Sequence, residues 1–230
     1  DINIKHFNNE THITINGNKE LSSNKIDVPS DLSSSAFFIV AALINKGSKI
    51  SLKNININPT RDGILIALKK MGARINFKNR RAIGGELIAD LDIQYTNSNG
   101  CELNADMAKL MIDEYPILSI AAAFANGPSI FRGLGELKVK ESNRLEMIKS
   151  NLLRCGCDCK IIKNDLIIKP SKEYHVIDNK IKTDFDHRIA MSFAVMGTKI
   201  NNLKIEDSES INTSFPNFKE IFNSVGGNLL

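Results

Sequence analysis

The chain has 230 residues, a formal net charge of +4, 42% apolar residues and 24% charged residues. These values are typical of a globular α/β protein that buries a core in one or two domains. No apolar run reaches transmembrane length and no secretory signal is visible, so we expect a cytoplasmic protein without membrane contacts. Lysine and arginine are scattered and little interleaved with aromatic residues, which argues against nucleic acid and favours small anionic molecules as partners.

Residues 1–28 contain short alternating stretches, such as Thr11–Ile15, that are broken by an Asn-Gly pair at 16–17. Alternation of apolar and polar residues predicts strands, and Asn-Gly is a turn signal, so the pattern indicates a hairpin. We expect this segment to end a preceding structural unit and to project from the rest. The repeat pattern begins after residue 28, and the serines at 33–35 are expected to cap its first helix.

The rest of the chain repeats one pattern of elements three times. Each unit has an apolar helix, a short strand, a polar turn, an amphipathic helix, a glycine and a second strand. Units one, two and three span residues 36–75, 115–159 and 188–229. A helix that is apolar on all sides is buried, so we expect the first helices of the units to form the centre. The predicted fold is an α/β ring or prism of three units.

The polar turn of unit two concentrates charge. Lys140, Glu141 and Arg144 lie within five residues, just before an amphipathic helix. Residues i and i+4 of a helix share a face, so we expect Lys140 and Arg144 to point together toward an anion at the helix N-terminus. Glu141 beside these cations is a candidate proton carrier. The alternative is a solvated first turn with ordinary charge pairs.

Two further polar clusters precede the buried helices of units two and three. Asp113 comes just before the helix of unit two, and Asp186-His187-Arg188 open that of unit three. In a threefold arrangement these helix N-termini converge on one cleft, whose dipoles attract anions. Arg188, like Arg144, offers the forked donors that carboxylates and phosphates bind. Asp113 is then a candidate proton acceptor, although a helix N-cap alone would explain it.

The cysteines are Cys101, Cys155, Cys157 and Cys159. The spacing of the last three would place their thiols on one face of a strand. No histidine stands at metal-ligand spacing from them. We therefore predict small buried or half-buried structural thiols in a reducing compartment, and no metal site.

Several segments resemble, in order, motifs of the 5-enolpyruvylshikimate-3-phosphate synthase (3-phosphoshikimate 1-carboxyvinyltransferase) family. They are residues 28–34, 58–61, 111–116, 137–145, 186–191 and 213–216. The sequences of these motifs are most similar to those of the glyphosate-tolerant bacterial class. The resemblance implies the enolpyruvyl transferase fold, an inside-out α/β barrel lobe of three βαβαββ-type repeats in each half of the molecule. It covers only the later part of the family, so residues 1–28 are expected to end a missing lobe and residues 29–230 to form nearly all of the other.

The resemblance also implies an addition–elimination reaction in the shikimate pathway, which leads to chorismate and the aromatic amino acids. The 5-hydroxyl of shikimate-3-phosphate adds to C2 of phosphoenolpyruvate, C3 gains a proton, and phosphate then leaves. The family needs no metal and no organic cofactor. We expect the complete enzyme to be a monomer that includes the missing first lobe, and this chain to be inactive alone.

Residue by residue, the family's roles fall on the charged clusters already described. Asp113 matches the proton acceptor at the 5-hydroxyl, and Glu141 matches the residue that protonates C3. The family's substrate-binding positions correspond to Lys140 near both substrates, Arg144 and Arg188 at the phosphoenolpyruvate carboxylate, and His187 near its phosphate. Asp113 also counts among the substrate-binding positions.

Three positions depart from the family pattern, and one of them is Leu32, which stands where the family usually has a small residue or Pro. Asn143 stands where the family usually has Asp, which could loosen a neighbouring cation, and Ser30 replaces a glycine, which matters if that position needs a positive φ. Two alternatives stay open. One is a UDP-N-acetylglucosamine enolpyruvyl transferase, which shares the architecture and chemistry. The other is a non-catalytic lobe that only binds anions. The Asp-His-Arg and Lys-Glu-Ser-Asn-Arg segments favour the shikimate enzyme.

Overall fold

An exposed antiparallel hairpin begins the chain. The computed structural model describes residues 2–18, 20, 22–23, 25–171 and 173–230. Strands β1 (Ile2–Phe7) and β2 (Glu10–Ile15) pair in a regular register, and every residue of both strands is exposed. Asn8 and Asn9 make the turn with φ of 43° and 67°, values that asparagine tolerates better than most residues. The Asn-Gly pair at 16–17 therefore follows the second strand instead of forming the turn.

Unit one begins with a buried helix that Asp31 caps. The Asp31 carboxylate accepts hydrogen bonds from the backbone N–H groups of Ser33 and Ser34 at 3.1 and 2.7 Å, so the prediction that serine hydroxyls cap this helix is wrong. The elements of unit one are α1 (Leu32–Ile44), β3 (Lys49–Asn56), α2 (Gly63–Lys70), β4 (Ile75–Ile83) and β5 (Glu86–Gln94). The strands form an antiparallel sheet in the order β3-β5-β4.

Unit two has the most complete set of strands. A proline in the first turn of its buried helix lacks the N–H that would be unpaired there anyway. Its elements are β6 (Glu102–Leu103), α3 (Ala108–Met111), α4 (Tyr115–Ala123), β7 (Ser129–Phe131), α5 (Arg144–Arg154), β8 (Asp158–Ile162) and β9 (Asp165–Lys169). The sheet order is β6-β7-β9-β8. Strands β6 and β7 pair in parallel, and the buried helix α4 lies between them in the sequence.

Unit three has short strands. Its elements are β10 (Lys180–Ile181), α6 (His187–Met196), β11 (Lys204–Ile205) and α7 (Phe218–Ser224). The predicted strand after Gly226 is absent from residues 225–230, so that prediction is wrong. Instead the backbone of Leu229 folds back on the side chain of Asn223, which donates to its carbonyl at 2.9 Å and accepts its N–H at 2.8 Å. A strand needs a ladder partner, and this local pairing occupies the backbone.

The first helices of the units form the centre of the molecule. Helices α1, α4 and α6 contact one another pairwise and are nearly all buried. The amphipathic α5 keeps an exposed side and packs against β8. The predicted α/β arrangement of three units around buried helices is confirmed. No helix in the described ranges combines the length and apolar character that crossing a membrane requires.

The departures at Asn143 and Ser30 are accommodated. Asn143 accepts a hydrogen bond from the backbone N–H of Glu146 at 3.2 Å and so caps α5, a role in which Asn and Asp are about equal. Ser30 exchanges backbone hydrogen bonds with Asn54 and Asn56 at 3.0 and 2.9 Å and does not have a positive φ. Serine therefore causes no backbone strain there.

The clustered cysteines do not share one strand. Cys155 is the C-cap of α5, Cys157 precedes β8, and Cys159 lies within β8. The prediction that these three thiols share one face of a strand is therefore wrong. All are buried and free, as the structural interpretation expected. Burial raises the pKa of Cys155 and Cys157 to about 12. Such thiols are poor nucleophiles and poor metal ligands.

Candidate active site

Side chains from all three units meet at the N-terminal ends of the buried helices. Arg188, in the first turn of α6, donates from Nη1 to the hydroxyl of Ser33 on α1 at 2.8 Å. The same Nη1 donates to the backbone carbonyl of Asp113, just before α4, at 3.2 Å. The predicted convergence of these helix ends is therefore present in the structure.

Asp113 is the partly exposed carboxylate at the middle of this site. Its Oδ1 accepts from Arg144 Nη1 at 2.9 Å and lies 3.4 Å from Lys140 Nζ. Burial alone would raise the pKa of Asp113, but the charges of Arg188, Lys140 and Arg144 together lower it below its usual value. Asp113 makes no helix-capping hydrogen bond, and the N-cap position of α4 belongs to Glu114. The capping explanation is therefore wrong.

Lys140 reaches Asp113 from an extended segment and not from a helix. Helix α5 starts only at Arg144, and Lys140 follows a 3₁₀ helix at Gly135–Val139. The prediction that Lys140 and Arg144 share a helical face is wrong, although both side chains reach the same oxygen. Lys140 Nζ also lies 3.0 Å from Glu136 Oε1, and this hydrogen bond, with the charge of Asp113, raises the pKa of Lys140. The site therefore keeps this positive charge.

Arg144 is a completely buried cation held by carboxylates on several sides. Its Nε donates to Asp186 Oδ2 at 2.8 Å and its Nη1 donates to Asp113. Its Nη2 lies 2.5 Å from Glu141 Oε2, but out of line for a hydrogen bond, so that Nη2 has no hydrogen-bond acceptor among the described residues. Because Glu141 is half exposed, a ligand that displaces it would find Nη2 free to donate.

Asp186 holds Arg144 in place and was not given a role by the sequence. It is fully buried. Its Oδ1 caps α6 by accepting the backbone N–H groups of Arg188 and Ile189 at 2.9 and 3.4 Å, and its Oδ2 also accepts from Ser142 Oγ at 3.0 Å. One carboxylate thus joins the start of α5 to the start of α6.

His187 and Glu141 lie at the edge of this network. His187 is the first residue of α6, and its side chain makes no hydrogen bond to any residue in the described part of the chain. Burial lowers the pKa of His187, with Asp186 opposing the shift and Arg188 adding to it. His187 is therefore mainly neutral at physiological pH. Glu141 faces solvent on one side and Arg144 on the other.

Three more polar residues of the site were not identified from the sequence. Arg61, on the exposed loop before α2, lies 4.0 Å from both Asp113 Oδ2 and Glu114 Oε1. Glu114 is 1% exposed and accepts a hydrogen bond from Ser33 Oγ, and burial raises the pKa of Glu114. Arg61, Ser33 and Glu114 all fall in segments that carry the resemblance, which was the one signal that could have found them.

Cavities of different size lie in the described part of the chain. The smaller, about 430 Å³, adjoins the site and is lined by Ser33, Arg61 and Glu114 among others. A larger groove of about 1530 Å³ runs between α1, β3 and the C-terminal residues, and its lining includes none of the predicted site residues. In the described ranges no group of three or more His, Cys, Asp or Glu side chains is arranged to hold a metal ion.

The chemistry of the site follows from its charges. Asp113 stands among Lys140, Arg144 and Arg188, so cationic donors that can bind anions lie beside a carboxylate that can accept a proton from a bound hydroxyl. Helix N-termini add backbone dipoles of the same sign. The arrangement suits a reaction in which an alcohol gives up its proton beside a bound anion.

Comparison with known proteins connects this geometry to one family. The sequence model of EPSP synthase (3-phosphoshikimate 1-carboxyvinyltransferase) matches residues 1–222. A 3-phosphoshikimate 1-carboxyvinyltransferase of Paramagnetospirillum magneticum is 45% identical over 94% of this chain and 49% of its own length. One from Rhizobium johnstonii is 41% identical over 94% of this chain and 49% of its own length. The chain therefore spans about half the length of these curated relatives.

Solved structures agree on the fold. An EPSP synthase from Acinetobacter baumannii superposes with a TM-score of 0.88 at 38% identity, covering 98% of this chain and 52% of that one. The enolpyruvyl transferase NikO from Streptomyces tendae superposes with a TM-score of 0.59 at 16% identity, covering 87% of this chain and 44% of that one, which supports the fold alone. The chain thus has part of the enolpyruvyl transferase fold.

Proposed function

Because this chain belongs to the EPSP synthase family, we propose that the polypeptide containing it transfers the enolpyruvyl group of phosphoenolpyruvate to the 5-hydroxyl of shikimate-3-phosphate. Phosphate is released by addition and elimination. The observation that carries the proposal is Asp113, a half-buried carboxylate with a lowered pKa that lies 2.9 Å from Arg144 and 3.4 Å from Lys140. A general base beside cations is what addition of an alcohol to an anionic enol phosphate requires.

Asp113 accepts the proton of the 5-hydroxyl as the new C–O bond forms. A free Asp has a pKa of roughly 4, far below that of an alcohol, so it cannot deprotonate the hydroxyl beforehand. Transfer must accompany attack on C2, when the alcohol becomes strongly acidic. The nearby Lys140 and Arg144 stabilise negative charge that develops on the attacking hydroxyl oxygen at that moment.

Glu141 delivers the proton that C3 of phosphoenolpyruvate gains. Its carboxyl group is half exposed and lies 2.5 Å from Arg144 Nη2. A side chain in this position can turn between the arginine and a substrate bound above it. This motion would also free Nη2 for the substrate, so proton delivery and anion binding would use the same displacement of Glu141.

The remaining cations bind the anionic groups. We assign the phosphoenolpyruvate carboxylate to Arg144 and Arg188, a position near both substrates to Lys140, and the neighbourhood of the phosphate to His187. Each charge-assisted hydrogen bond contributes roughly 1.5–3 kcal/mol. The neutral state of His187 suits a hydrogen bond to phosphate without an additional fixed charge.

The other half of the site is proposed to come from a second lobe of the same polypeptide. Residues 1–28 would belong to that lobe and residues 29–230 to the lobe described here, with the substrates between them and the complete protein a cytoplasmic monomer. The exposed isoleucines of the hairpin support this division, because apolar side chains in that number normally pack against a partner. Similarity to the glyphosate-tolerant class also stays a prediction.

The proposal is tested with the longest natural polypeptide that contains this chain. Incubation with phosphoenolpyruvate and shikimate-3-phosphate should release phosphate and form the enolpyruvyl product, identified by mass spectrometry. UDP-N-acetylglucosamine offered in place of shikimate-3-phosphate should give no turnover. Turnover with UDP-N-acetylglucosamine but not with shikimate-3-phosphate would establish the UDP-N-acetylglucosamine enolpyruvyl transferase reaction. Binding of the substrates without turnover would favour an anion-binding lobe.

A further inference from the structure

Arg188 is held on one edge of its guanidinium and free on the other. Its Nη1 carries two hydrogens, and both are used, by Ser33 Oγ at 2.8 Å and by the carbonyl of Asp113 at 3.2 Å. No hydrogen bond from Nε or Nη2 to any residue in the described part of the chain is present. Saturating Nη1 leaves Nε and Nη2 as a side-on fork, the geometry that binds a carboxylate through two parallel hydrogen bonds.

The hydroxyl that holds Nη1 is itself fixed by a buried carboxyl group. Ser33 Oγ accepts from Arg188 and donates its own hydrogen to Glu114 Oε1. Ser33 and Glu114 are 7% and 1% exposed, so water does not compete for either bond. Glu114 Oε1 is also 3.7 Å from Arg188 Nη1, close enough for attraction without a hydrogen bond. The hydrogen-bonded residues Glu114, Ser33 and Arg188 thus belong to units two, one and three, respectively.

We propose that Ser33 and Glu114 are positioning residues that fix the rotation of the Arg188 guanidinium, so that its Nε and Nη2 edge is presented to the carboxylate of the substrate. Neither residue touches the substrate in this proposal. The inference rests on the proposed function for the identity of that substrate, but the hydrogen-bonded arrangement itself does not depend on it.

The hydrogen bond between Ser33 and Arg188 also joins two of the three repeats. Ser33 lies in the first turn of α1 and Arg188 in the first turn of α6. The hydrogen bond between them therefore fixes the position of one buried helix end relative to the other. Any rotation of α1 would be transmitted to the guanidinium. A rigid buried relay of this kind keeps a long side chain preorganised, which lowers the entropy lost when the anion binds.

The kinetic test is Ser33→Ala in the complete polypeptide. Removing the hydroxyl frees one Nη1 hydrogen, and the KM for phosphoenolpyruvate should rise about 10-fold, the loss expected for one hydrogen bond to a charged group. The kcat should change much less, because the substrate carboxylate does not react. Ser33→Thr keeps the hydroxyl and should restore most of the affinity. Ser34→Ala is the matched control, since among the described residues that hydroxyl hydrogen-bonds only to Asp31.

A second measurement does not require turnover. Nitrogen-15 NMR of arginine-labelled protein reports rotation about the Cζ–Nη bonds, with the Arg188 signals assigned by Arg188→Lys. The bound Nη1 should rotate slowly in the wild-type protein and in Ser34→Ala, and at least about 10-fold faster in Ser33→Ala, since a held group must break its hydrogen bonds to rotate.

The outcomes separate this inference from the proposed function. If the wild-type polypeptide turns over, an unchanged KM or an unchanged Nη1 rotation in Ser33→Ala overturns the positioning role. If the wild-type polypeptide has no transferase activity, the proposed function fails. The rotation rate alone then decides whether Ser33 holds Arg188. Equal rates in Ser33→Ala and Ser34→Ala would refute it.

Discussion

Arg144 Nε donates to Asp186 Oδ2 at 2.8 Å, and both side chains are completely buried. This ion pair links the first residue of α5 to the N-cap of α6. The same arginine then donates to Asp113 from Nη1. The orientation of the proposed base is therefore set by a buried cation whose own position is set by the cap of a helix in another unit.

Removing the buried cation should destabilise the whole lobe. In Arg144→Met the Asp186 carboxylate would remain buried without its countercharge, and the free energy of unfolding should fall by about 3–5 kcal/mol. Urea denaturation of the 230-residue chain measures this. Arg132→Met is the matched control, because Arg132 also contacts two carboxylates, Glu102 and Asp165, but on the exposed surface. A loss in Arg144→Met no larger than in Arg132→Met would contradict the structural role of the pair.

Loss of the proposed base should abolish most activity without unfolding the protein. Asp113→Asn in the complete polypeptide keeps the size and one acceptor oxygen but cannot take a proton. The kcat should fall roughly 10²–10⁴-fold, the usual contribution of general-base catalysis. Circular dichroism should be unchanged. Asp106→Asn alters an exposed aspartate whose one ion pair within the described ranges is with Lys109, and it should be near wild type. Wild-type kcat in Asp113→Asn would remove Asp113 from the mechanism.

Proton delivery to carbon has a separate signature. Glu141→Gln should slow turnover, and it should slow exchange of solvent deuterium into the C3 methylene of phosphoenolpyruvate, because the amide cannot deliver the proton. The Kd for phosphoenolpyruvate, measured by calorimetry, separates this from a displaced Arg144. Glu146→Gln, a half-exposed glutamate in the first turn of α5, is the control. Normal exchange in Glu141→Gln would show that Glu141 does not deliver the proton and that its turn is an ordinary solvated helix start.

The buried Glu114 should make stability depend on pH. Burial raises its pKa in the folded protein above the ordinary value of 4.5. The Glu114 carboxyl group therefore binds its proton more tightly in the folded protein than in the unfolded chain. The stability that this binding contributes is complete below about pH 4.5, and it is lost as the pH rises through the pKa of the folded state. Glu114→Gln cannot ionise. Its unfolding free energy, relative to wild type, should increase between roughly pH 4 and pH 8 in urea denaturation.

Asp113 supplies the control of opposite sign. Its folded pKa is lowered by neighbouring cations, so the stability it contributes is present above its unfolded pKa of 3.8 and is lost as the pH falls through the folded value. Asp113→Asn should therefore lose stability relative to wild type as the pH rises from the acid range to neutrality. Parallel pH trends in Asp113→Asn and Glu114→Gln would contradict the two assigned pKa directions.

The lobe by itself should be a poor catalyst. Since the chain spans about half the length of its curated relatives, the purified 230-residue polypeptide should release phosphate from the two substrates much more slowly than the complete polypeptide. A turnover of roughly 1–10³ s⁻¹, the usual enzyme range, would show that residues 1–230 contain all that catalysis requires.

Much of the site was visible in the sequence because its residues occupy helix ends. Capping residues and apolar periodicity are local signals, and they placed Asp186 and Arg188 at the start of a buried helix and Asp113 just before another. The repeat then indicated that these ends would meet. The same local rules failed at Lys140, since an extended segment between two helices has no periodic pattern to read.

The sequence by itself determined the two helices of each unit to within a few residues, the threefold repeat and the family. Each depends on short-range preferences or on order along the chain. Only the tertiary structure decided which charges neutralise one another, since Arg144 pairs with Asp113 and Asp186 across 31 and 42 residues. Ser33 and Arg188 meet across 155 residues. Ion pairs and hydrogen bonds act over a few ångströms, so partners so distant in sequence are selected only when the buried helices pack together.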